Sequence, residues 1–265
     1  MDKDVKTGSP GKCPRCGMKL VANLPDPIEF LLDLRVTPRA PVVGQPATLE
    51  FRVRHPKTGQ PVREFEIMHE KLIHAFLVSA DLADFAHLHP ERQTDGSFLL
   101  AVTFQRAVPY RVAVDFYPKG ATPQFLTKTV FPAGASLVAP PKLTPDLTPK
   151  QAENLAVELV TEPAQPIAGQ ETLLFFRVAP NDGLEPYLAA WGHLLAASDD
   201  LVDLMHDHPL YVDGLPPPDL RAPSPKQIQF NLIFPRERTY RVWVQFQRAG
   251  VVSTVAFTIP VKALR

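Results

Sequence analysis

Apolar and polar residues alternate along much of the chain. Phe98, Leu100, Val102 and Phe104 form one such run, and Tyr110, Val112, Val114 and Phe116 form another. Late in the chain Phe230, Leu232 and Phe234 repeat the pattern, as do Val255, Phe257 and Ile259. A period of two, built from aromatic and β-branched residues, predicts strands with one buried face. Asp95-Gly96 between two such runs predicts a hairpin, because a tight turn needs residues that tolerate positive φ. Helical spacing is scarce: Asp81-Leu82-Ala83-Asp84-Phe85 and Asp199-Asp200-Leu201-Val202-Asp203 predict one short turn each.

The strands come in two sets. Gly44-Gln45-Pro46-Ala47-Thr48-Leu49 and Gly169-Gln170-Glu171-Thr172-Leu173 open equivalent runs, and Tyr110-Arg111-Val112 matches Tyr240-Arg241-Val242. Between them lie His74…Ser79-x-Asp81-Leu82…His87-x-His89-Pro90 and His193…Ser198-x-Asp200-Leu201…His206-x-His208-Pro209. In both, the second histidine follows the first by 13 residues and the third by 15. This is a tandem duplication. Each unit, about 100 residues with roughly seven strands, has the dimensions of an immunoglobulin-type sandwich. The expected fold is all-β, tandem Ig-like β-sandwiches with a short N-terminal metal-binding knuckle. The expected boundaries are 1–24 for the knuckle, 27–135 for repeat 1, 136–151 for a Pro-rich linker and 152–263 for repeat 2. A second Pro-rich stretch, from Gly214 to Pro225, reads as a long surface loop of repeat 2 and a candidate contact site.

Composition narrows the function. The 28 Lys and Arg balance the 28 Asp and Glu, so no strong attraction to nucleic acid or an anionic membrane is expected. No apolar run has the length of a transmembrane helix. The N-terminus Met1-Asp2-Lys3-Asp4 lacks a signal-peptide core, which taken literally means a cytoplasmic protein. The 30 prolines suit short strands, edges and linkers. The only cysteines, Cys13 and Cys16, lie outside both sandwiches, so neither sandwich holds an inter-sheet disulfide.

Candidate chemistry lies in the histidines and in that cysteine pair. His-x-His on a strand puts two imidazoles on one face, about 7 Å apart at Cα. A third imidazole from a neighbouring strand completes a three-nitrogen face suited to Cu(II), Zn(II) or Ni(II). His69, His74, His87 and His89, with Met68 alongside, form the expected principal site; His193, His206 and His208 form a second, weaker one. Met205 would point to the opposite face. His69-Glu70-Lys71-Leu72-Ile73-His74 has the wrong spacing for a zinc-protease helix. The bland alternative is that these histidines hold turns by bonding backbone carbonyls. Asp81, Asp84, Asp199, Asp200 and Asp203 read as turn caps before they read as partners of imidazoles. Trp191 and Trp243 read as core or interface aromatics. Cys13-Pro14-Arg15-Cys16-Gly17-Met18 is a turn that aims two thiolates, and with Met18 a thioether, at one point.

The segment Pro10-Gly11-Lys12-Cys13-Pro14-Arg15-Cys16-Gly17-Met18-Lys19-Leu20 resembles the small heavy-metal-binding domain of copper and silver efflux adaptors. That family runs Cys-Pro-Met-His-Pro before the knuckle, and here the preceding Cys is absent, with Met1 standing where the family has its Met. The resemblance implies a start upstream of Met1, supplying a Cys-Pro pair and a signal peptide. The two repeats resemble secreted bacterial His-rich β-sandwich proteins associated with copper resistance. Repeat 1 carries that pattern through Met68, His69, His74, Ser79, Asp81, His87, His89, Pro90, Asp95-Gly96, Tyr110, Phe116, Pro118 and Gly120; repeat 2 departs at Phe246-Gln247-Arg248-Ala249-Gly250. These resemblances imply a periplasmic or extracellular location and a metal-related role.

The expected function is non-enzymatic binding, buffering or delivery of a transition metal, copper first and zinc second. The expected partners are metal ions, with a metal-transport protein, an oxidase or a second copy of the chain as candidates, and no nucleic acid or membrane span. The alternative is a structural, adhesive or filament-forming module in which the histidines are structural.

Overall fold

The computed structural model describes residues 11–12, 14–15, 28–212 and 224–264. Strands β1 (Leu31–Thr37), β2 (Pro46–Arg54), β5 (Glu91–Arg92) and β6 (Phe98–Thr103) form one antiparallel sheet of repeat 1, in the order β1-β2-β6-β5. Strands β3 (Ile73–Ser79), β4 (Phe85–Leu88), β7 (Tyr110–Phe116) and β8 (Gln124–Val130) form the other, in the order β4-β3-β7-β8. Repeat 2 follows the same plan. One of its sheets has the order β15-β16-β11-β10-β9, from β9 (Lys150–Gln151), β10 (Ala156–Glu162), β11 (Glu171–Ala179), β15 (Tyr211–Val212) and β16 (Ile228–Ile233). The other joins β12 (Leu184–Glu185), β13 (His193–Ser198), β14 (Leu204–Asp207), β17 (Thr239–Arg248) and β18 (Val251–Pro260). No helix occurs among the described residues.

Alternation within each strand builds the two cores. Leu49, Phe51, Phe98, Val112, Val114 and Phe116 meet between the sheets of repeat 1. Leu174, Phe176, Phe230, Val242, Val244 and Phe246 meet in repeat 2. The predicted Asp95-Gly96 hairpin is present, with Gly96 at φ 87°. Tyr110 and Tyr240 each sit at the start of a strand, β7 and β17, reached by a connection that crosses from one sheet to the other. The Tyr110 hydroxyl accepts the Arg106 N–H at 3.1 Å, and the Tyr240 hydroxyl accepts that of Arg236 at 3.3 Å. Such a corner is characteristic of Ig-like sandwiches.

Strands β3 and β13 break the simple alternation, because every residue in both is buried. A strand buried on both faces needs a cover on each. One face, with Ile73, Ala75 and Leu77 in β3 and Leu194 and Ala196 in β13, enters its own core. On the other, Phe76 and Val78 from repeat 1 join Leu195, Ala197 and Trp243 from repeat 2 in a third apolar cluster. The two repeats therefore pack sheet against sheet. The rings of Phe85 and Trp243 stack across the junction at 4.8 Å and 7°. Full burial of side chains such as Phe76 and Val78 in this cluster contributes about 1.5–3 kcal/mol each.

The two turns after β3 and β13 serve this junction. Ser79 Oγ donates to Asp81 Oδ1 at 2.6 Å and accepts the Asp84 N–H at 2.9 Å. Ser198 makes the same pair of bonds with Asp200 and Asp203, at 2.6 and 3.0 Å. Each turn holds a leucine at positive φ, Leu82 at 56° and Leu201 at 54°. Both leucines are buried in the junction, so apolar burial offsets the backbone cost. Leu143 of the Pro-rich linker packs on the same cluster. The last two residues of the 136–151 stretch form β9 and pair with β10.

Candidate metal centre

Strand register sets the outer faces that meet. In repeat 1 His74 lies opposite Asp115 across β3–β7, and Phe76 lies opposite His87 across β3–β4. In repeat 2 His193 lies opposite Gln245, and Leu195 lies opposite His206. His89 and His208 follow at the ends of β4 and β14. A principal site in repeat 1 and a weaker one in repeat 2 were expected. Instead the packing of the repeats gathers His69, His74, His87, His89, His193, His206 and His208 into one cluster. His74 lies 6.1 Å from His193 and 5.6 Å from His206, centroid to centroid, and His69 stacks on His208 at 3.5 Å. The sequence contains the two histidine sets but not the sheet-on-sheet docking that merges them.

Hydrogen bonds orient four of these rings. His74 Nε2 lies 3.0 Å from the Met68 carbonyl, and His193 Nε2 lies 2.9 Å from the Tyr187 carbonyl. A carbonyl only accepts, so both Nε2 atoms carry the proton and both Nδ1 atoms carry a lone pair. His206 Nδ1 lies 2.6 Å from Asp115 Oδ2, which leaves the lone pair on Nε2. His87 Nδ1 lies 2.8 Å from Gln245 Oε1, whose amide nitrogen donates to Thr254 Oγ1 at 2.9 Å. That again turns the Nε2 lone pair inward. The last two bonds cross between repeats, each histidine taking its partner from the other sandwich.

The inward nitrogens have no matching donors. His193 Nδ1, His206 Nε2, His89 Nε2 and His208 Nε2 are buried and without a hydrogen-bond partner among the described residues. His74 Nδ1 faces His87 Nε2 at 3.1 Å. Two lone pairs turned toward each other at this distance repel, and a cation held between them converts the repulsion into ligation. Two groups bring three nitrogens within 4.8 Å of one another: His74, His87 and His89, and His87, His193 and His206. The second group mixes the repeats. An all-imidazole donor set of this kind fits Cu, Zn or Ni better than hard cations.

Burial keeps the imidazoles neutral, which ligation requires. It pushes His87 down to about 2 and His89 to about 4, and lowers His69, His74, His193, His206 and His208 as well. Burial raises the Asp115 carboxyl to about 6, so at neutral pH it is the charged acceptor of the His206 N–H. A carboxylate behind an imidazole raises the basicity of the ligand nitrogen.

The predicted ligands thus fall into three groups. The seven histidines come together. Met68 enters through its backbone carbonyl, which holds His74. Cys13, Cys16 and Met18 lie outside the described residues, as does most of the Gly214–Pro225 loop. Met205 packs on the core of repeat 2, on the face away from the cluster. Asp81, Asp84, Asp200 and Asp203 serve the turns and not the imidazoles, bonding Ser79, Tyr110, Ser198 and Tyr240. Trp191 lies in the core of repeat 2 and Trp243 in the junction. Two residues that the motif reading did not single out, Asp115 and Gln245, orient the rings. The signal was present: both break the apolar run of a strand at the same position of the duplicated segment.

The halves of the cluster match down to the turns. Met68–Lys71 and Tyr187–Ala190 are closed by paired backbone bonds, with both central residues at positive φ in each. His69 and Leu188 occupy the same place, so repeat 2 has no counterpart of His69. The His69 ring reaches across to the backbone of Leu188 and Ala189. Gly192, just before His193, is required for close approach. A Cβ there would lie 2.8 Å from the Phe246 ring and 3.2 Å from the Gln245 carbonyl.

Comparison with known proteins adds to this geometry. No curated protein matches the chain. Among solved structures, the Escherichia coli adhesin FdeC is 13% identical, with 92% of this chain and 67% of that chain covered and a TM-score of 0.28. A two-domain fibronectin type-III segment of chicken tenascin is 12% identical, with 89% and 99% covered and a TM-score of 0.25. A Ca2+-stabilized adhesin of an Antarctic bacterium is 8% identical, with 84% and 45% covered and a TM-score of 0.26. Superposition at these scores carries no functional argument. Residues 1–23 match the family described as heavy metal binding domain. Residues 32–130 and 150–263, one segment per repeat, match the family described as domain of unknown function (DUF8832), and the chain belongs to that family.

Proposed function

We propose that this protein binds a transition metal, copper before zinc, at the histidine cluster between its two sandwiches, and buffers or delivers that metal without catalysing a reaction. One observation carries the reading: four buried imidazoles have their outward nitrogens bonded to acceptors, and their inward nitrogens carry lone pairs toward a common space. Such outer acceptors are the usual companions of metal-ligating histidine. The heavy-metal-binding match at the N-terminus supports a metal as cargo. With Cys13, Cys16 and Met18 as soft donors, that segment would exchange metal with the cluster or with a transport or oxidase partner. A periplasmic or extracellular location suits such a carrier.

A second reading has its own observation. His74 and His193 each tie a turn by bonding a backbone carbonyl, as purely structural histidines would in an adhesive or scaffolding module. Metal content and copper titration of the full chain separate the two, alongside the triple change His74→Ala, His87→Ala, His89→Ala. Tight uptake that is lost in a folded variant supports the carrier. No uptake by the parent, with an unfolded variant, leaves the histidines structural.

A further inference from the structure

We infer that His74, His87, His193 and His206 form one four-imidazole cage for a single tetrahedral d10 cation, Zn(II) or Cu(I), and that this ion clamps the two repeats together. The inference rests on the metal-binding reading above and deepens it. It replaces one ion per sandwich by one ion per chain, with half of its ligands from each repeat.

The ring positions carry the argument. The six centroid separations among these four histidines are 5.3, 5.4, 5.6, 5.9, 6.1 and 6.2 Å. Six nearly equal separations among four points describe a tetrahedron. Imidazoles bound tetrahedrally with bonds of about 2.0–2.1 Å have centroids about 5 Å apart. His87, His193 and His206 already present nitrogens within 4.8 Å of one another, and His74, beside His87, must draw in toward the other two to close the cage. A square-planar arrangement, the preference of Cu(II), would split the six into four sides and two diagonals longer by a factor of about 1.4. No such split is present. The 3.1 Å between His74 Nδ1 and His87 Nε2 is close to the separation of about 3.3 Å between neighbouring nitrogens of a tetrahedral site.

The ring orientations agree. Each of the four has its outward nitrogen on an acceptor: two on backbone carbonyls of their own repeat, and two on Gln245 and Asp115 of the opposite repeat. The cage is therefore tied across the junction twice before any ion binds. His89 and His208 flank it symmetrically. His89 lies 5.0 and 4.8 Å from His74 and His87, and His208 lies 4.7 and 4.4 Å from His193 and His206. They are the rings that a rival arrangement, one three-histidine ion in each repeat, would recruit.

The full chain carrying Cys13→Ser and Cys16→Ser, which removes the thiolates, is loaded with Zn(II), with Co(II) as a spectroscopic probe, and with Cu(I) under reducing conditions. The expected result is one tightly held ion per chain and the intense visible absorption of tetrahedral Co(II). His87→Ala and His206→Ala, in different repeats, should each weaken that one ion by more than about 100-fold, beyond the loss typical of outer partners. Zn(II) should slow hydrogen exchange in β3 and β13 together. Two ions per chain, each lost with changes in one repeat only, or octahedral Co(II), would overturn the cage and leave the metal-binding reading standing. No tight ion would end both. Stoichiometry and spectrum need only the parental histidines, so a variant that fails to fold does not remove the test. Relative affinities of Zn(II) and Cu(I) decide which cation is held.

Discussion

The two halves of the histidine cluster share a backbone plan, and three differences between them place a repeat 1 group against the other half. Asp115 in repeat 1 stands where repeat 2 has Gln245. His69 stands where repeat 2 has Leu188, and Phe76 where it has Leu195. Each difference acts on the opposite half, because Asp115 bonds His206, His69 stacks on His208, and the Phe76 ring lies 4.6 Å from His206. Repeat 1 thus supplies the charge, the extra imidazole and the Phe76 ring, while repeat 2 supplies the Tyr187 ring, 5.2 Å from His193. The functional unit is the pair of outer sheet faces, and neither sandwich contains it alone.

The largest effect should come from breaking the shared wall. Phe76→Ala and Leu195→Ala open equivalent positions, both almost fully buried. Truncations of this kind cost about 3–5 kcal/mol for Phe and 2–5 for Leu. Denaturant unfolding should rank Phe76→Ala as the worse, since its ring also stacks on His87 at 4.3 Å. Equal losses would show that the aromatic contact adds nothing to burial.

Acid should act next. The unfolded chain protonates its histidines near 6.5, whereas burial pushes His89 to about 4 and His87 to about 2. Stability of the metal-free protein is therefore full above pH 6.5 and is lost as pH falls from there through 4 and below. Asp115 works in the other direction. Raised from 3.8 to about 6, its contribution is present below 3.8 and lost as pH rises through 6. Asp115→Asn removes that opposing contribution, so urea midpoints measured across this window should fall more steeply with acid in the variant. Midpoints independent of pH between 7 and 4 would contradict the burial of neutral imidazoles.

Exchanging the outer partners sharpens the comparison further. Asp115→Asn keeps an acceptor for His206 Nδ1 and removes the charge. Metal affinity, read by competition with a chelator, should fall by about 10–100-fold. Gln245→Glu adds the missing carboxylate behind His87 and should strengthen binding by less than that, because burial of a second charge opposes it. The smallest effects belong to the surface clasps. Arg106 pairs with Asp81 alone, whereas Arg236 pairs with both Asp200 and Asp203. Alanine at either should lower the thermal midpoint only slightly, with Arg236 the larger loss.

How much of this was legible in the sequence depends on the range of the interaction. Period-two alternation reports which face of a strand is apolar, and it located β2, β6, β7, β11, β16 and β18, while Asp95-Gly96 marked the hairpin and the matched spacings marked the duplication. Ala75-Phe76-Leu77-Val78 and Leu194-Leu195-Ala196-Ala197 are unbroken apolar runs, which a search for alternation passes over. Such runs mean burial on both faces, but they do not name the cover. The cover is the other repeat, and that contact depends on side-chain fit across more than a hundred residues of chain. His74, His87 and His89 were identifiable as possible ligands by spacing, and so were their duplicates. Their merging into one cluster, and the crossing bonds to Asp115 and Gln245, follow from docking, which spacing does not encode. Leu82 and Leu201 teach the same lesson locally: the Ser-x-Asp-Leu turn is readable, while the reason it tolerates a leucine at positive φ lies across the junction.

Joining the two sandwiches in one chain, through a linker whose Leu143 packs on the junction, has a consequence for what the site can become. Two separate copies of one sandwich meeting through these faces would form a two-fold dimer, with identical residues in both halves and assembly governed by concentration. A tether replaces that concentration with a fixed effective molarity on the order of millimolar, so the faces stay engaged at any dilution. It also removes the demand for identity. One half can carry a carboxylate and the other an amide, one an additional imidazole and the other a leucine, and the cluster acquires a direction that a symmetric pair of subunits could not express.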